Sequence, residues 1–358
     1  MNSVQIKNKW LEIPIIQGGM GVGVSLSNLA GNVMKNGGMG VLSMAHPGYL
    51  EPDFNERNIE ANLNAFGKEV KKARDLSDGR GLLGVNIMAA IRNFETYVKK
   101  AVECAVDAII VGAGLPLDLP KYVENDTIAL APVVSSGRAA KLLLKAWDRH
   151  YSRTADFIVV EGPLAGGHLG FKAKDLEENH CQNLEEIFND VKKEVAVYEE
   201  EYKQKIPIFV AGGVYDGADI ARFMKQGANG VQMATRFIAT EECDAAPNFK
   251  QVILEAEKED IVFIKSPVGF PGRAVKTALI KRLEQGRIPP KTCMNCLTPC
   301  KPTEAPYCIT QALVSAVKGD VENGLFFCGE NAYRMKEIVS VKTLMESYVN
   351  EANQILEV

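Results

Sequence analysis

Eight short apolar runs, at residues 13–17, 40–44, 82–88, 108–112, 128–134, 157–160, 208–211 and 230–234, punctuate the first two thirds of the chain. Several are almost unbroken Val, Ile, Leu and Ala, the pattern of strands covered on both faces. Between them lie amphipathic, helix-like stretches, including 26–36, 94–104, 137–147, 184–202 and 217–226. Eight strands alternating with helices count out as a (β/α)8 TIM barrel, with a doubly wound α/β sheet as the structural rival. Glycine and polar residues gather after nearly every run, as they do at the carboxyl face of a barrel, and this favours the barrel.

The alternation stops near Pro247. Residues 1–247 are therefore read as the barrel and 248–358 as a mostly helical carboxy-terminal extension, with a closing helix near 341–356. Residues 173–201 are long and highly charged, and are expected to form a solvated helix over the barrel with a lid at its start. The net charge of −4 and the lack of a basic stripe argue against a nucleic-acid partner. No apolar run approaches the ~18 residues of a membrane span. Residues 1–10 lack the apolar core of a signal peptide. The expected location is the cytoplasm, where disulfides are rare.

The loop from Glu161 to Gly170 follows the sixth run and reads Glu-Gly-Pro-Leu-Ala-Gly-Gly-His-Leu-Gly. Glycines let backbone approach a ligand closely and adopt positive φ. Successive amides form an anion-binding nest. His168 beside such a nest has an imidazole whose ordinary pKa, near neutrality, suits proton transfer. The other reading is a glycine turn with a surface histidine.

Two further loops extend this pattern. Gly212 and Gly213 follow the seventh run, and Gln232, Met233, Ala234 and Thr235 end the eighth. Barrels often bind phosphate at those two positions, on amides, hydroxyls and a helix start. After the first run comes Gln17-Gly18-Gly19-Met20-Gly21. A dinucleotide fingerprint would need an acid at the end of the second run, and Ser43-Met44-Ala45 supplies none. A loop against which a flat ring lies fits better. Asn86 interrupts the apolar third run, and its amide is expected to read the edge of that ring or of a substrate. Of the remaining histidines, His180 is expected to be exposed, while His46, after the second run, stands where it could border a pocket.

In family order, the segments 14–20, 84–88, 112–114, 161–170, 211–217 and 227–237 resemble the nitronate monooxygenases, also called 2-nitropropane dioxygenases, and the related flavin-dependent enoyl-ACP reductases. The resemblance implies a TIM barrel holding FMN without a covalent bond. It implies Gly18, Gly19 and Asn86 at the isoalloxazine, with Met20 among the cofactor residues. Gly166, Gly167, Gly212, Gly213 and Gln232 to Thr235 would lie at the ribityl phosphate, with Glu161 among the cofactor residues and His168 as the catalytic histidine. The implied activity is oxidation of alkyl nitronates by dioxygen. The alternatives are enoyl-thioester reduction by NAD(P)H and a flavin-binding module without turnover. A small-molecule substrate is expected, with NAD(P)H or an electron-carrier protein as candidate redox partner and a homodimer as candidate assembly. Three departures bear on the substrate: Glu161 where many relatives have Gln, Leu164 where Glu is common, and Ala234 where Gly is usual.

Cys293, Cys296, Cys300 and Cys308 crowd a Pro-rich segment of the extension. In a cytoplasmic chain this spacing reads as a metal site. Four thiolates suit tetrahedral zinc or a 4Fe–4S cluster. The C-x2-C-x3-C run resembles the cluster motif of the dienoyl-CoA reductases, another group of barrel flavoenzymes. Unliganded thiols are the remaining reading. Cys328 is a spare candidate ligand, and Cys104 is expected in the core.

Overall fold

The computed structural model describes residues 1–357. All eight apolar runs are strands: β1 (Ile15–Gln17), β2 (Met39–Ser43), β3 (Leu82–Met88), β4 (Ala108–Gly112), β5 (Ala129–Val134), β6 (Ile158–Glu161), β7 (Ile208–Ala211) and β8 (Gly230–Met233). They pair in parallel, each with its neighbours in sequence, and β8 closes on β1 through Val231–Ile15 and Gln232–Ile16. The fold is a (β/α)8 barrel.

The near-continuous apolarity of the strands follows from their two buried faces. In β4, Ala108 and Ile110 point into the barrel, while Ile109 and Val111 pack beneath the helices. Phe157 and Phe209 meet edge to face inside the barrel, their centroids 5.6 Å apart. An antiparallel hairpin, Val4–Ile6 with Lys9–Leu11, precedes β1, and its Val4, Ile6 and Leu11 join this interior cluster.

The five amphipathic stretches form helices: Ser27–Lys35, Phe94–Glu103, Gly137–Tyr151, Leu184–Tyr202 and Gly217–Lys225. A sixth, Asn58–Leu76, fills the connection between β2 and β3. The charged stretch from 173 divides into a short helix, Ala173–Glu177, and the long one from Leu184. The latter covers the barrel with one face, as an amphipathic helix does. Leu184, Ile187, Phe188, Val191 and Val195 form a buried stripe, and only the opposite face carries the charges. Cys104 is half-buried and packs against the outer core. Among the described residues, no helix is long and apolar enough to cross a membrane.

Beyond Pro247 the chain adds the helices Pro247–Glu255, Ala278–Gln285, Ile309–Val317 and Val341–Leu356. It also adds a hairpin that helical periodicity did not foretell, Ile261–Lys265 with Pro271–Val275. The hairpin's second strand pairs antiparallel with Gly167–His168, joining the extension to the loop after β6. The last helix returns to the barrel wall, where Glu351 accepts a hydrogen bond from the Gly217 amide at 2.8 Å.

Candidate active site

The carboxyl ends of the strands open into a cavity of about 470 Å³, within the usual range for small-molecule sites. One side is barrel: Gly18, Gly19 and Met20 after β1, Asn86 in β3, Glu161 ending β6, Gly166, Gly167 and His168 beyond it, Gly212 and Gly213 after β7, and Gln232, Met233, Ala234 and Thr235 after β8. The structure therefore brings every candidate cofactor residue and the candidate catalytic histidine to one cavity. The other side comes from the extension, through Val268, Phe270, Ile309, Leu313, Phe327 and Cys328.

The loop after β6 is built tightly. A methyl group on Gly166 would overlap the backbone of Cys328 and Gly329. Gly167 has φ +68° and nothing within 4 Å of where a Cβ would stand, so its conformation, and not its space, calls for glycine. Among the described residues, the amides of Gly166 and Gly213 meet no protein acceptor. The Gly329 amide donates to the Thr235 hydroxyl at 2.8 Å, and the Asn331 side chain donates to the Gly213 carbonyl at 3.0 Å.

Arg273 laces these parts together. Its guanidinium is buried, donates to the carbonyls of Pro163 (2.8 Å) and Ala165, and pairs with Glu330 at 3.0 Å. It also lies over the Phe263 ring at 4.7 Å.

His168 faces the cavity with its Nε2 2.8 Å from the Ser266 hydroxyl and its ring edge-on to Phe327 at 5.0 Å. Desolvation in this enclosure pulls its pKa down to about 4, so the ring is neutral near pH 7. Glu161 responds to the same enclosure in the opposite sense. Burial pushes its carboxyl up to about 7, against hydrogen bonds from the Gly170 amide and the Ser135 hydroxyl and the charge of Arg273. The partial exposure of both side chains is to the cavity they line. The cavity thus holds a neutral base and a carboxyl that titrates near neutrality, the combination that acid–base chemistry uses.

His46 also borders the cavity, deeply buried, with its pKa lowered to about 4 by desolvation. His180 is exposed and pairs with Glu178. Ser135, Ser266, Arg273, Phe327 and Asn331 escaped the sequence reading. The one available signal was the turn-rich Ser266-Pro-Val-Gly-Phe-Pro-Gly-Arg273 between two apolar runs, a hairpin signature.

The four clustered cysteines border a separate small cavity of about 30 Å³. Among the described residues, however, no three His, Cys, Asp or Glu side chains are gathered closely enough to hold a metal ion. The metal expectation at Cys293, Cys296, Cys300 and Cys308 is thus not met by the placement of the sulfurs. Cys328 lies apart from them, buried against the main cavity, its thiol pushed up to about 12 by burial.

The cavity fits a flavin mononucleotide on three counts. It has the volume, and it has the unpartnered amides of Gly166 and Gly213. It also has the buried Gln232 Oε1, an acceptor with no partner in the protein on a side chain that lines the cavity.

The probable nitronate monooxygenase of Staphylococcus saprophyticus is 23% identical to the chain, over 97% of this chain and 96% of that protein. Among solved structures, FabK from Thermotoga maritima superposes with a TM-score of 0.73 at 27% identity, covering 97% of this chain and 94% of the other. A nitroalkane oxidase from Streptomyces ansochromogenes has the same fold, with a TM-score of 0.72 at 18% identity and coverage of 96% and 97%. Residues 2–351 match the nitronate monooxygenase family as a whole, and the chain belongs to that family of oxidoreductases.

Proposed function

We propose that the chain binds FMN in the barrel mouth and oxidises small alkyl nitronates with dioxygen. The observation that carries this reading is a neutral, desolvated His168 facing a glycine-walled cavity beside an unsatisfied Gln232 acceptor. Gly18, Gly19, Met20 and Asn86 would hold the ring. Gly166, Gly167, Gly212, Gly213, Met233, Ala234 and Thr235 would hold the ribityl phosphate, with Gln232 meeting a donor of the cofactor and Glu161 set beside it. Once bound, the isoalloxazine supplies two-electron chemistry and passes electrons to oxygen.

The protein's own part is positioning and proton handling. The free nitrogen lone pair of neutral His168 accepts a proton from the carbon of a nitroalkane. The imidazolium so formed faces the anionic nitro oxygens. Ser266 fixes the ring by its hydrogen bond at 2.8 Å, and Phe327 limits its tilt. The extension over the mouth restricts water, which strengthens each of these interactions.

A second reading, reduction of an enoyl thioester with NAD(P)H as donor, is favoured by the apolar wall of Val268, Phe270, Leu297, Ile309, Leu313 and Phe327. That wall suits an acyl chain better than a short nitronate. The two readings separate on purified full-length protein. Yellow protein that consumes oxygen with propyl nitronate supports the first. Oxidation of NADPH that depends on an enoyl thioester replaces it with the second. Colourless protein that cannot be reconstituted with FMN overturns both. Bound flavin that no substrate reduces leaves a flavin-binding module.

A further inference from the structure

The wall of the main cavity is almost free of charge. Among the described residues it holds one carboxyl, Glu161, two neutral histidines, His46 and His168, and one cation, Arg236. A guanidinium does not lose its proton in a protein, so Arg236 is the one permanent charge in that wall. It lies in the short helix Thr235–Ile238 that follows β8, next in sequence to Thr235.

No acid in the protein neutralises Arg236. Among the described residues no carboxylate pairs with it, whereas Arg222, Arg273 and Arg334 on neighbouring elements each pair with one. Its Nε is buried and has no hydrogen-bond partner. Its guanidinium lies 4.8 Å from the centre of the Tyr215 ring, and Tyr215 also lines the cavity. Arg334 stacks on the same ring at 3.8 Å, but Asp216 answers its charge at 3.2 Å. Near Arg236 on the last helix stands the phenol of Tyr348, buried and kept neutral by desolvation, so it returns no negative charge.

We propose that Arg236 is the counter-charge for the phosphate of FMN, and that it makes the cavity prefer the phosphorylated coenzyme to riboflavin. This deepens the flavin reading and rests on it. The other groups offered to the phosphate are neutral. They are the free amides of Gly166 and Gly213 and the Thr235 hydroxyl, which accepts from the Gly329 amide at 2.8 Å and keeps its own hydrogen to donate. A phosphate monoester carries about −1.5 to −2 charges near pH 7. Neutral donors orient such a group, but enclosing its charge without a cation is costly. Arg273 is committed to Glu330 and two carbonyls. A weakly hydrated guanidinium with a planar fork of donors matches phosphate oxygens, and Arg236 is the free one.

The test is a fluorescence titration of the intact chain, stripped of flavin, with FMN and with riboflavin. Arg236→Gln should weaken FMN binding by about 10–100-fold, the worth of a charge-assisted contact, and leave riboflavin within about twofold. Arg236→Met keeps the packing of the stem on Tyr215, and should give the same result if the Gln variant does not fold. Arg236→Lys, which keeps the charge and loses the fork, should fall between. Arg334→Gln removes the other guanidinium on Tyr215 and should leave the ratio of the two affinities unchanged.

An Arg236 that only supports the fold would weaken both flavins alike. That result, or an unchanged FMN affinity in the Gln and Met variants, overturns the proposal. An unchanged FMN affinity with a raised KM for propyl nitronate would assign the cation to an anionic substrate, and overturns it as well. These outcomes leave the flavin reading standing. Wild-type protein that binds neither flavin overturns that reading and the proposal with it.

Discussion

Arg273 lies opposite Gly167 in an antiparallel bridge, which sets Gly272 opposite His168 and makes a strand of the extension the outer support of the barrel's glycine loop. The guanidinium then reaches past that bridge to the carbonyls of Pro163 and Ala165. Replacing Arg273 by Met removes these donors and leaves Glu330 without its cation. Glu330 is part-exposed, so the expected loss is about 1–3 kcal/mol, chiefly from the two carbonyls left without a donor, and denaturant melts would read it. Arg273→Lys should not rescue, because an ammonium cannot span the two carbonyls and the carboxylate as a planar fork does. Full stability in the Lys variant would mean that charge alone matters there.

His168→Ala should keep the cofactor bound and lower kcat/KM by about 10²–10⁴-fold, the usual contribution of a general acid–base group. Ser266→Ala should act through the histidine. It frees the ring to rotate, lowers kcat while leaving KM nearly unchanged, and leaves the flavin spectrum alone. Steady-state kinetics with the spectrum recorded on the same sample checks both. Unchanged turnover in His168→Ala would remove the ring from the chemistry.

The barrel was legible because its strands are buried on both faces and its helices on one, so the hydrophobic period alone separates them. The loops that face the cavity were legible because clustered glycines mark where backbone turns or packs against backbone, as Gly166 does against Cys328 and Gly329. What the sequence hid depends on contacts between distant residues. Arg273 is one arginine in a short strand, and nothing local reveals that it meets carbonyls at 163 and 165. Ser266 reaches His168 across 98 residues. The helix 184–202 was legible as amphipathic, and its apolar stripe is what packs while the charged face stays outside. The cysteine spacing was plain, but a motif carries no distances, and the sulfurs surround a cavity without closing on it.

Gly166→Ala should be among the most damaging small substitutions in the chain. The added methyl meets the backbone of Cys328 and Gly329, and neither is a side chain that can swing aside. Overpacking of this kind costs about 1–3 kcal/mol and moves backbone. Because the same loop offers the Gly166 amide to the cavity, the FMN dissociation constant should rise as well. Fluorescence titration with FMN, alongside thermal melts, reads both. Tight binding with an unchanged melt would show that the two loops part readily.

The histidines and Glu161 should give stability a pH dependence of opposite signs. His46 and His168 both titrate near 4 when folded and near 6.5 when unfolded. Between those values the unfolded chain binds more protons, so acidification from about pH 6.5 to 4 destabilises the fold, by about 3 kcal/mol for the deeply buried His46. Glu161 titrates near 7 when folded and near 4.5 when unfolded, so its contribution falls as pH rises through that window. Denaturant melts from pH 4 to 8 should therefore lose part of their acid-side slope in His46→Gln, whereas Glu161→Gln, which removes the opposing contribution, should steepen the slope between about pH 4.5 and 6.5 and flatten it just above. In the Glu161→Gln enzyme, a step in the pH–rate profile near 7 should vanish while the limb set by His168 persists. A profile that keeps its step near 7 would place that ionisation on another group.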